Sequence, residues 1–105
     1  MISLTRLEQI EENLCNHKIA IIGDMMLDGY FWGDVSRVSP EAPVPVVEIE
    51  NEFFRFGGAA NVAININKLG GISLPIGIIG NDTDGETFLK LMEKENIESR
   101  PLWKP

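Results

Sequence analysis

Residues 57–71, Gly-Gly-Ala-Ala-Asn-Val-Ala-Ile-Asn-Ile-Asn-Lys-Leu-Gly-Gly, decide the fold because one glycine pair opens this segment and a second pair closes it. Apolar residues between the pairs surround most of a helix circumference, which predicts a buried helix over residues 59–69. A glycine pair at the mouth of a helix lets the backbone turn and lets a ligand approach without a Cβ in the way.

Asn61 falls in the first turn of this predicted helix. There its amide can donate and accept hydrogen bonds toward a polyhydroxylated ligand, and the free N–H groups of the helix start add further donors. A plain tight turn with Asn61 as a local cap explains the segment equally well. The turn by itself therefore leaves a structural and a ligand-binding interpretation open.

Two short apolar runs on either side of this helix predict strands of a parallel sheet. Residues 18–22 are rich in Ile and end at Gly23-Asp24, and residues 72–79 follow the second glycine pair, with Pro75 near their start. Each run suits a buried strand.

Two further segments have the periodicity of amphipathic helices. Residues 5–16 carry Leu and Ile at helical spacing, and Thr5 and Glu8 have the spacing of a capping box. Residues 82–85 form a turn into a last helix that bears Phe88. The order helix, strand, β-insert, helix, strand, helix predicts an α/β fold around a parallel sheet.

The insert, residues 30–56, is aromatic and β-branched and is interrupted by Gly33 and three prolines. Prolines at this density exclude a helix or a central strand, so we expect edge or detached β-structure. Residues 44–49 are its clearest strand.

Two aspartates, Asp24 and Asp28, follow the first predicted strand. We expect both at the C-terminal edge of that strand, where ligands bind in open α/β sheets. A carboxylate accepts two hydrogen bonds and therefore holds sugar hydroxyls well. For either aspartate alone a solvated loop acid or a helix cap is the simpler explanation, but two acids near a Gly-Gly-x-x-Asn turn favour a binding site.

The composition excludes several partners. A formal net charge of −7 repels nucleic acid and anionic membrane surfaces, and no apolar run approaches the length of a bilayer span. One cysteine, Cys15, and one histidine cannot build a structural zinc site, and residues 80–91 do not fit a calcium loop, so we expect no metal site. The lone cysteine is typical of a cytoplasmic protein.

The spacing of residues 57–61, Ala63, Gly70 and Gly80 resembles the N-terminal signature of the PfkB family of ribokinase-like carbohydrate kinases. Residues 23–28 resemble the family's first strand and its sugar-binding acid, and residues 80–85 its Gly-x-Asp-x-x-Gly turn. Within the family, residues 36–47 are similar to the heptose 7-phosphate kinases of ADP-heptose synthesis, which supply a precursor of the lipopolysaccharide core.

The resemblance implies a three-layer α/β/α fold with a parallel sheet core, of which residues 1–105 are the N-terminal part and residues 30–56 a small β-lid. It also implies ATP- and Mg²⁺-dependent phosphorylation of the anomeric hydroxyl of a heptose 7-phosphate. The base, the anion hole and most of the ATP and Mg²⁺ contacts would lie C-terminal to residue 105, so we assign no catalytic residue to this chain and expect it to be inactive alone.

The resemblance further implies the substrate-binding residues, which are Asp24, Asp28, Gly57, Gly58, Asn61 and, for a substrate phosphate, Arg37. A surface ion pair is an equal explanation for Arg37. The lid would form a homodimer contact, which explains its aromatic residues unless these pack on the sheet: Tyr30, Phe31, Trp32, Phe53 and Phe54. Two alternatives remain: a non-catalytic sugar-binding or dimerisation module, and a kinase of this family for another sugar or nucleoside.

Overall fold

A computed structural model describes the backbone of residues 1–105 and every side chain except those of residues 36, 48 and 50. The elements in chain order are α1 (Leu4–Leu14), β1 (Lys18–Ile22), β2 (Met25–Val38), β3 (Pro45–Gly57), α2 (Gly58–Lys68), β4 (Ile72–Ile78), α3 (Thr83–Lys94) and β5 (Leu102–Trp103). No helix among the residues described is long and apolar enough to cross a bilayer.

A parallel sheet of three strands, in the order β1-β4-β5, confirms the predicted α/β fold. Pro75 lies within β4, the middle strand, but β5 pairs only with Gly77 and Ile78. At Pro75, β4 therefore has a neighbour on one side only, and the missing N–H of proline is tolerated there. β5 was not predicted, because two residues carry too little periodicity to reveal a strand.

The core lies on one face of this sheet, under α2 and α3. Its buried centre contains Phe88 and Met92 of α3, Ala60 of α2, and Ile79 and Ile97 from the loops that adjoin β4 and α3. The apolar stripe of α3 therefore packs as its spacing predicts.

The opposite face of the sheet is open. Parallel register places Ile22 beside Ile76 and places Ile78 beside Trp103 on this face. Ile22 is 79% exposed, Ile78 63% and Trp103 62%. The predicted buried strands are thus covered on one face only, because this chain supplies helices to only one side of the sheet.

β2 and β3 form a separate antiparallel hairpin, as the proline pattern predicts. The hairpin runs from residue 25 to residue 57 and is therefore longer than the predicted insert. Register shifts after Trp32 and after Val35 interrupt its ladder. Leu27 and Phe56 near its base pack against the core and connect the two sheets.

Two expectations about the helices need correction. The N-cap of α1 is Ser3, whose Oγ accepts from the N–H of Arg6 at 3.2 Å, so the predicted capping box at Thr5 and Glu8 does not form. No residue of α1 is buried, and Leu4, Leu7 and Ile10 of its apolar stripe are exposed. α2 is buried on one face only, through Ala60 and Ala63.

Candidate functional site

The end of β1 and the start of α2 are joined by the backbone. The carbonyl of Asp24 accepts a hydrogen bond from the N–H of Ala59 at 2.9 Å, and Met25 forms a β-bridge with Gly58. The connection from β1 to β2 therefore lies across the first turn of α2. This contact places the carboxyl edge of β1 beside the glycine pair, as the topology of an open α/β sheet requires for a binding site.

Gly58 has a positive φ of 56°, and a Cβ on it would lie 2.5 Å from the carbonyl oxygen of Asp24. Both the conformation and the space exclude a larger residue there. Gly57 has an extended backbone, so only space restricts it: a Cβ would lie 2.6 Å from Oδ2 of Asp28. The glycine pair therefore keeps room for the turn and for the Asp28 carboxylate.

Asp28 does not lie at the edge of β1, as the sequence suggested, because β2 begins at Met25 and Asp28 is within this strand. The hairpin brings it to the glycine turn instead, since Met26 pairs with Gly57 and Asp28 with Arg55. Asp28 is therefore close to Gly57, as expected, but because of antiparallel pairing in the hairpin and not because of the edge of the parallel sheet.

The first turn of α2 supplies hydrogen-bond donors opposite these acids. Its N-cap, Gly57, has no side chain to accept from the N–H groups of the turn. Asn61 lies in the same turn and is exposed, as are Asp24 and Asp28. Two carboxylate acceptors, an amide and free backbone donors around one turn suit a ligand with several hydroxyl groups.

The structure does not bring Arg37 to this turn. Arg37 lies near the far end of β2, where it pairs with Val46, nine residues beyond Asp28. At about 3.3 Å per residue, the two residues are roughly 30 Å apart along the strand. Within one chain, Arg37 is too distant to share a small ligand with Asp28.

Arg55 is a residue that the sequence analysis does not single out. It lies directly opposite Asp28 in the hairpin and is exposed. The available signal was its position two residues before Gly57, which places it on the side of β3 that Gly57 occupies. That signal becomes useful only when the register of the hairpin is known.

The Gly80–Gly85 turn has a structural role in α3. Asp82 is the N-cap, and its Oδ1 accepts from the N–H of Gly85 at 2.9 Å. Its carboxylate is thus used by the helix start. Among the described side chains, no three His, Cys, Asp or Glu residues come together as a possible metal site.

A cleft of about 760 Å³ lies at the amino end of β4 and includes Asn67, Ser73 and Asn96. There Oδ1 of Asn67 accepts from the N–H and the Oγ of Ser73, at 3.0 and 2.7 Å. These polar groups already satisfy each other in a joint between α2 and β4. We therefore place the candidate site at the glycine turn, beside a cleft of about 400 Å³ that includes Asp24 and Gly77.

Comparison with known proteins shows what the chain as a whole is similar to. Residues 16–103 match the pattern of the pfkB family carbohydrate kinases. The chain is 44% identical over 96 residues to the bifunctional protein HldE of Magnetococcus marinus, covering 91% of this chain and 20% of that protein. It is 50% identical over 93 residues to the bifunctional protein HldE of Koribacter versatilis, covering 89% and 19%. The chain spans about one fifth of the length of these curated relatives.

Solved structures share the fold. A putative ribokinase from Agrobacterium tumefaciens superposes with a TM-score of 0.63 at 19% identity, over 83% of this chain and 28% of that one. The nucleoside kinase of Methanocaldococcus jannaschii, an archaeal member of the ribokinase family, superposes with a TM-score of 0.59 at 26% identity, over 84% and 28%. Both superpositions extend over more than four fifths of this chain, which therefore shares its fold with these two proteins.

Proposed function

This chain belongs to the pfkB family of carbohydrate kinases, and from that premise we propose that it is the sugar-binding part of an ATP-dependent kinase that acts on a heptose 7-phosphate. The observation that carries the proposal is the meeting of the Asp28 carboxylate with Gly57 beside the uncapped first turn of α2. The choice of heptose rests on the likeness of residues 36–47 to heptose 7-phosphate kinases and on relatives described as the bifunctional protein HldE.

In the proposed reaction the anomeric hydroxyl attacks the γ-phosphate of ATP, the bond from that phosphorus to the bridging oxygen breaks, ADP leaves, and the hydroxyl proton passes to a general base. The protein contributes chiefly by positioning and by stabilising charge. Asp28 and Asp24 accept hydrogen bonds from sugar hydroxyls, while Asn61 and the free N–H groups of α2 bind the sugar from the other side. Because the chain spans about one fifth of the length of its curated relatives, we propose that ATP and Mg²⁺ are held mainly by parts of the kinase other than the described residues.

We further propose that the protein is a cytoplasmic homodimer in which the hairpin makes the contact between subunits. Phe31 and Trp32 on β2 and Ile49 on β3 are exposed large apolar residues of the hairpin. A surface of this kind on an extended hairpin is typical of a protein interface. Arg37 pairs with Val46 near the far end of the hairpin, so it could contact a substrate only at a site to which a second subunit contributes.

The test is a kinetic comparison in the complete gene product, with a heptose 7-phosphate and ATP as substrates and the phosphorylated product detected by mass spectrometry. Asp28→Ala or Asn61→Ala is expected to raise the KM for the sugar roughly tenfold or more and to leave the KM for ATP nearly unchanged, because each removes hydrogen bonds to the sugar alone. Asn65→Ala, at an exposed position one turn further along α2, is the matched control.

Equal increases in both KM values would show that Asp28 and Asn61 have a structural role instead. Phosphorylation of fructose 6-phosphate, ribose or adenosine in preference to the heptose would support a kinase for another substrate. Binding of sugar without any transfer from ATP would support the non-catalytic module.

A further inference from the structure

One face of the hairpin carries an acid, a base and two aromatic rings in adjacent positions. Asp28 is opposite Arg55, and Tyr30 is opposite Phe53. Residues that are directly opposed, and residues two apart on one strand, point to the same side of a sheet. These four side chains therefore share a face, and that face leads to Gly57 of the glycine turn.

The two opposite charges in the middle of this face do not pair. Arg100 and Glu98 form the one ion pair among the side chains that the structure describes. The Asp28 carboxylate turns toward the glycine turn, where its Oδ2 covers Gly57. The Arg55 guanidinium turns the other way, with its Cζ 5.5 Å from the ring centre of Phe53 and 5.9 Å from that of Tyr30.

The aromatic pair explains why Arg55 leaves its cross-strand acid. The rings of Tyr30 and Phe53 stack with centres 5.1 Å apart and planes inclined by 10°. Tyr30 is 45% exposed and Phe53 38% exposed, so the pair forms a platform at the surface. A cation within about 6 Å of a ring centre is attracted to the ring face. The platform thereby orients the guanidinium and keeps its charge available to an anion from solvent.

This arrangement suits a ligand that has hydroxyl groups at one end and an anion at the other. Successive pairs on one face of a hairpin are about 7 Å apart. A sugar with a terminal phosphate is long enough to place its hydroxyl groups near the Asp28 carboxylate and its phosphate near the Arg55 guanidinium. Guanidinium donors match the geometry of phosphate oxygens better than a point charge does. An unphosphorylated sugar would use only the Asp28 end.

We propose that Arg55, held on the Tyr30–Phe53 platform, binds the phosphate group of the sugar phosphate whose hydroxyls are held by Asp28 and the glycine turn. The inference rests on the proposed function, because it requires that Asp28 and Gly57 hold a sugar. It assigns to Arg55 the role that sequence reasoning gave to Arg37, which lies near the far end of the hairpin.

The experiment is calorimetric titration of the complete gene product with D-glycero-D-manno-heptose 7-phosphate and, separately, with the same heptose without its phosphate. Arg55→Met keeps an apolar stem over the rings and removes the charge, and Arg55→Lys keeps the charge but loses the fork of donors. We expect Arg55→Met to weaken binding of the phosphorylated sugar roughly ten- to hundredfold and to leave binding of the free heptose unchanged. Arg55→Lys should lie between wild type and Arg55→Met.

Lys90→Met removes one positive charge from the exposed face of α3 and is the matched control. If Arg55→Met does not fold, Arg55→Lys carries the test, with a partial loss expected for the phosphorylated sugar only. Unchanged affinity of the Arg55 variants for the heptose 7-phosphate would overturn this inference while the proposed function stands. A wild-type protein that binds neither form of the sugar would overturn the proposed function and the inference with it.

Discussion

Gly85 is a position at which the structure has no room for a Cβ atom. It is buried at the start of α3, and a Cβ on it would overlap with the carbonyl oxygen of Gly80. The N–H of Gly85 is held by the Asp82 cap, and the atom that the Cβ would meet is a backbone oxygen, so only a backbone shift could relieve the overlap. The glycine allows the turn from β4 to close against the first turn of α3.

Gly85→Ala is therefore expected to destabilise the chain by about 3 kcal/mol, through a steric overlap that only a backbone shift can relieve. The free energy of unfolding can be measured by urea titration followed by circular dichroism. Lys90→Ala, on the exposed side of the same helix, should change that value by less than about 0.5 kcal/mol. A loss for Gly85→Ala as small as that of the control would contradict the argument.

The site residues differ in how far the sequence could identify them. Gly57, Gly58 and Asn61 are close together along the chain, so their shared turn is visible as spacing. Asp28 was predicted near the glycine turn, at the edge of β1, but it is the register of the hairpin that places it at Gly57. Arg55 has only one local signal, its position two residues before Gly57, because its role depends on Asp28 and Tyr30 of the other strand and on the ring of Phe53.

At the scale of elements, the side chain of Asn67 joins α2 to β4 by two hydrogen bonds. Asn67 of α2 accepts two hydrogen bonds from Ser73, which is only 1% exposed, and its Nδ2 donates to the carbonyl of Asn96 at 3.5 Å. Gly70, with a positive φ of 99°, ends the helix and returns the chain toward β4. Helix end, turn and strand are thus connected around a single side chain.

Asn67→Ala should destabilise the chain by about 1–3 kcal/mol, because it leaves the hydroxyl and the N–H of a buried serine without a partner. Asn67→Asp keeps an acceptor and is expected to lose less. Chemical unfolding of both variants, with Asn65→Ala on the exposed face of α2 as the control, measures the difference. Equal stability of Asn67→Ala and Asn65→Ala would show that water replaces the lost oxygen.

The hairpin is the element that the proposed homodimer depends on. Phe31 and Trp32 are exposed on opposite faces of β2, because successive side chains of a strand alternate. One of these two residues therefore lies on the proposed contact face. We expect its substitution by Lys, Phe31→Lys or Trp32→Lys, to weaken dimerisation of the complete gene product at least tenfold, since the burial of a charge is unfavourable. Sedimentation velocity at several concentrations measures this.

Val62→Lys, at an exposed position of α2, is the control for an added charge outside the hairpin. A complete gene product that sediments as a monomer at all concentrations, with or without these substitutions, would disprove the proposed contact.

At the scale of the whole molecule, the open face of the sheet is the main feature. Ile22, Ile76, Ile78 and Trp103 form a contiguous apolar surface there, opposite the face covered by α2 and α3. Exposed apolar surface of this kind promotes association. The three-layer arrangement implied by the family needs a second helical layer on this face, and the helices of the described chain do not supply it.

The 105-residue polypeptide in isolation is therefore expected to bind a hydrophobic dye such as ANS and to associate as its concentration rises. Ile22→Lys combined with Ile78→Lys should reduce both signals, because both side chains are on the open face and neither contributes to the core. Light scattering and dye fluorescence check this against a variant with Trp32→Lys in the hairpin. If the hairpin substitution alone abolished association, the open face would not be its cause.

Features that depend on near neighbours along the chain could be predicted from the sequence. These are the strands β1 and β4, the helices α2 and α3, the β-insert with its prolines, and the glycine turn that resembles the family signature. These follow from periodicity, capping and backbone freedom, which act over a few residues. Which groups meet at the site and which face of the sheet is covered depends on how distant segments fold together. Asp28 over Gly57, Arg55 on its aromatic platform, β5 and the open face all depend on pairing and packing between distant segments, and local residue patterns do not encode such contacts.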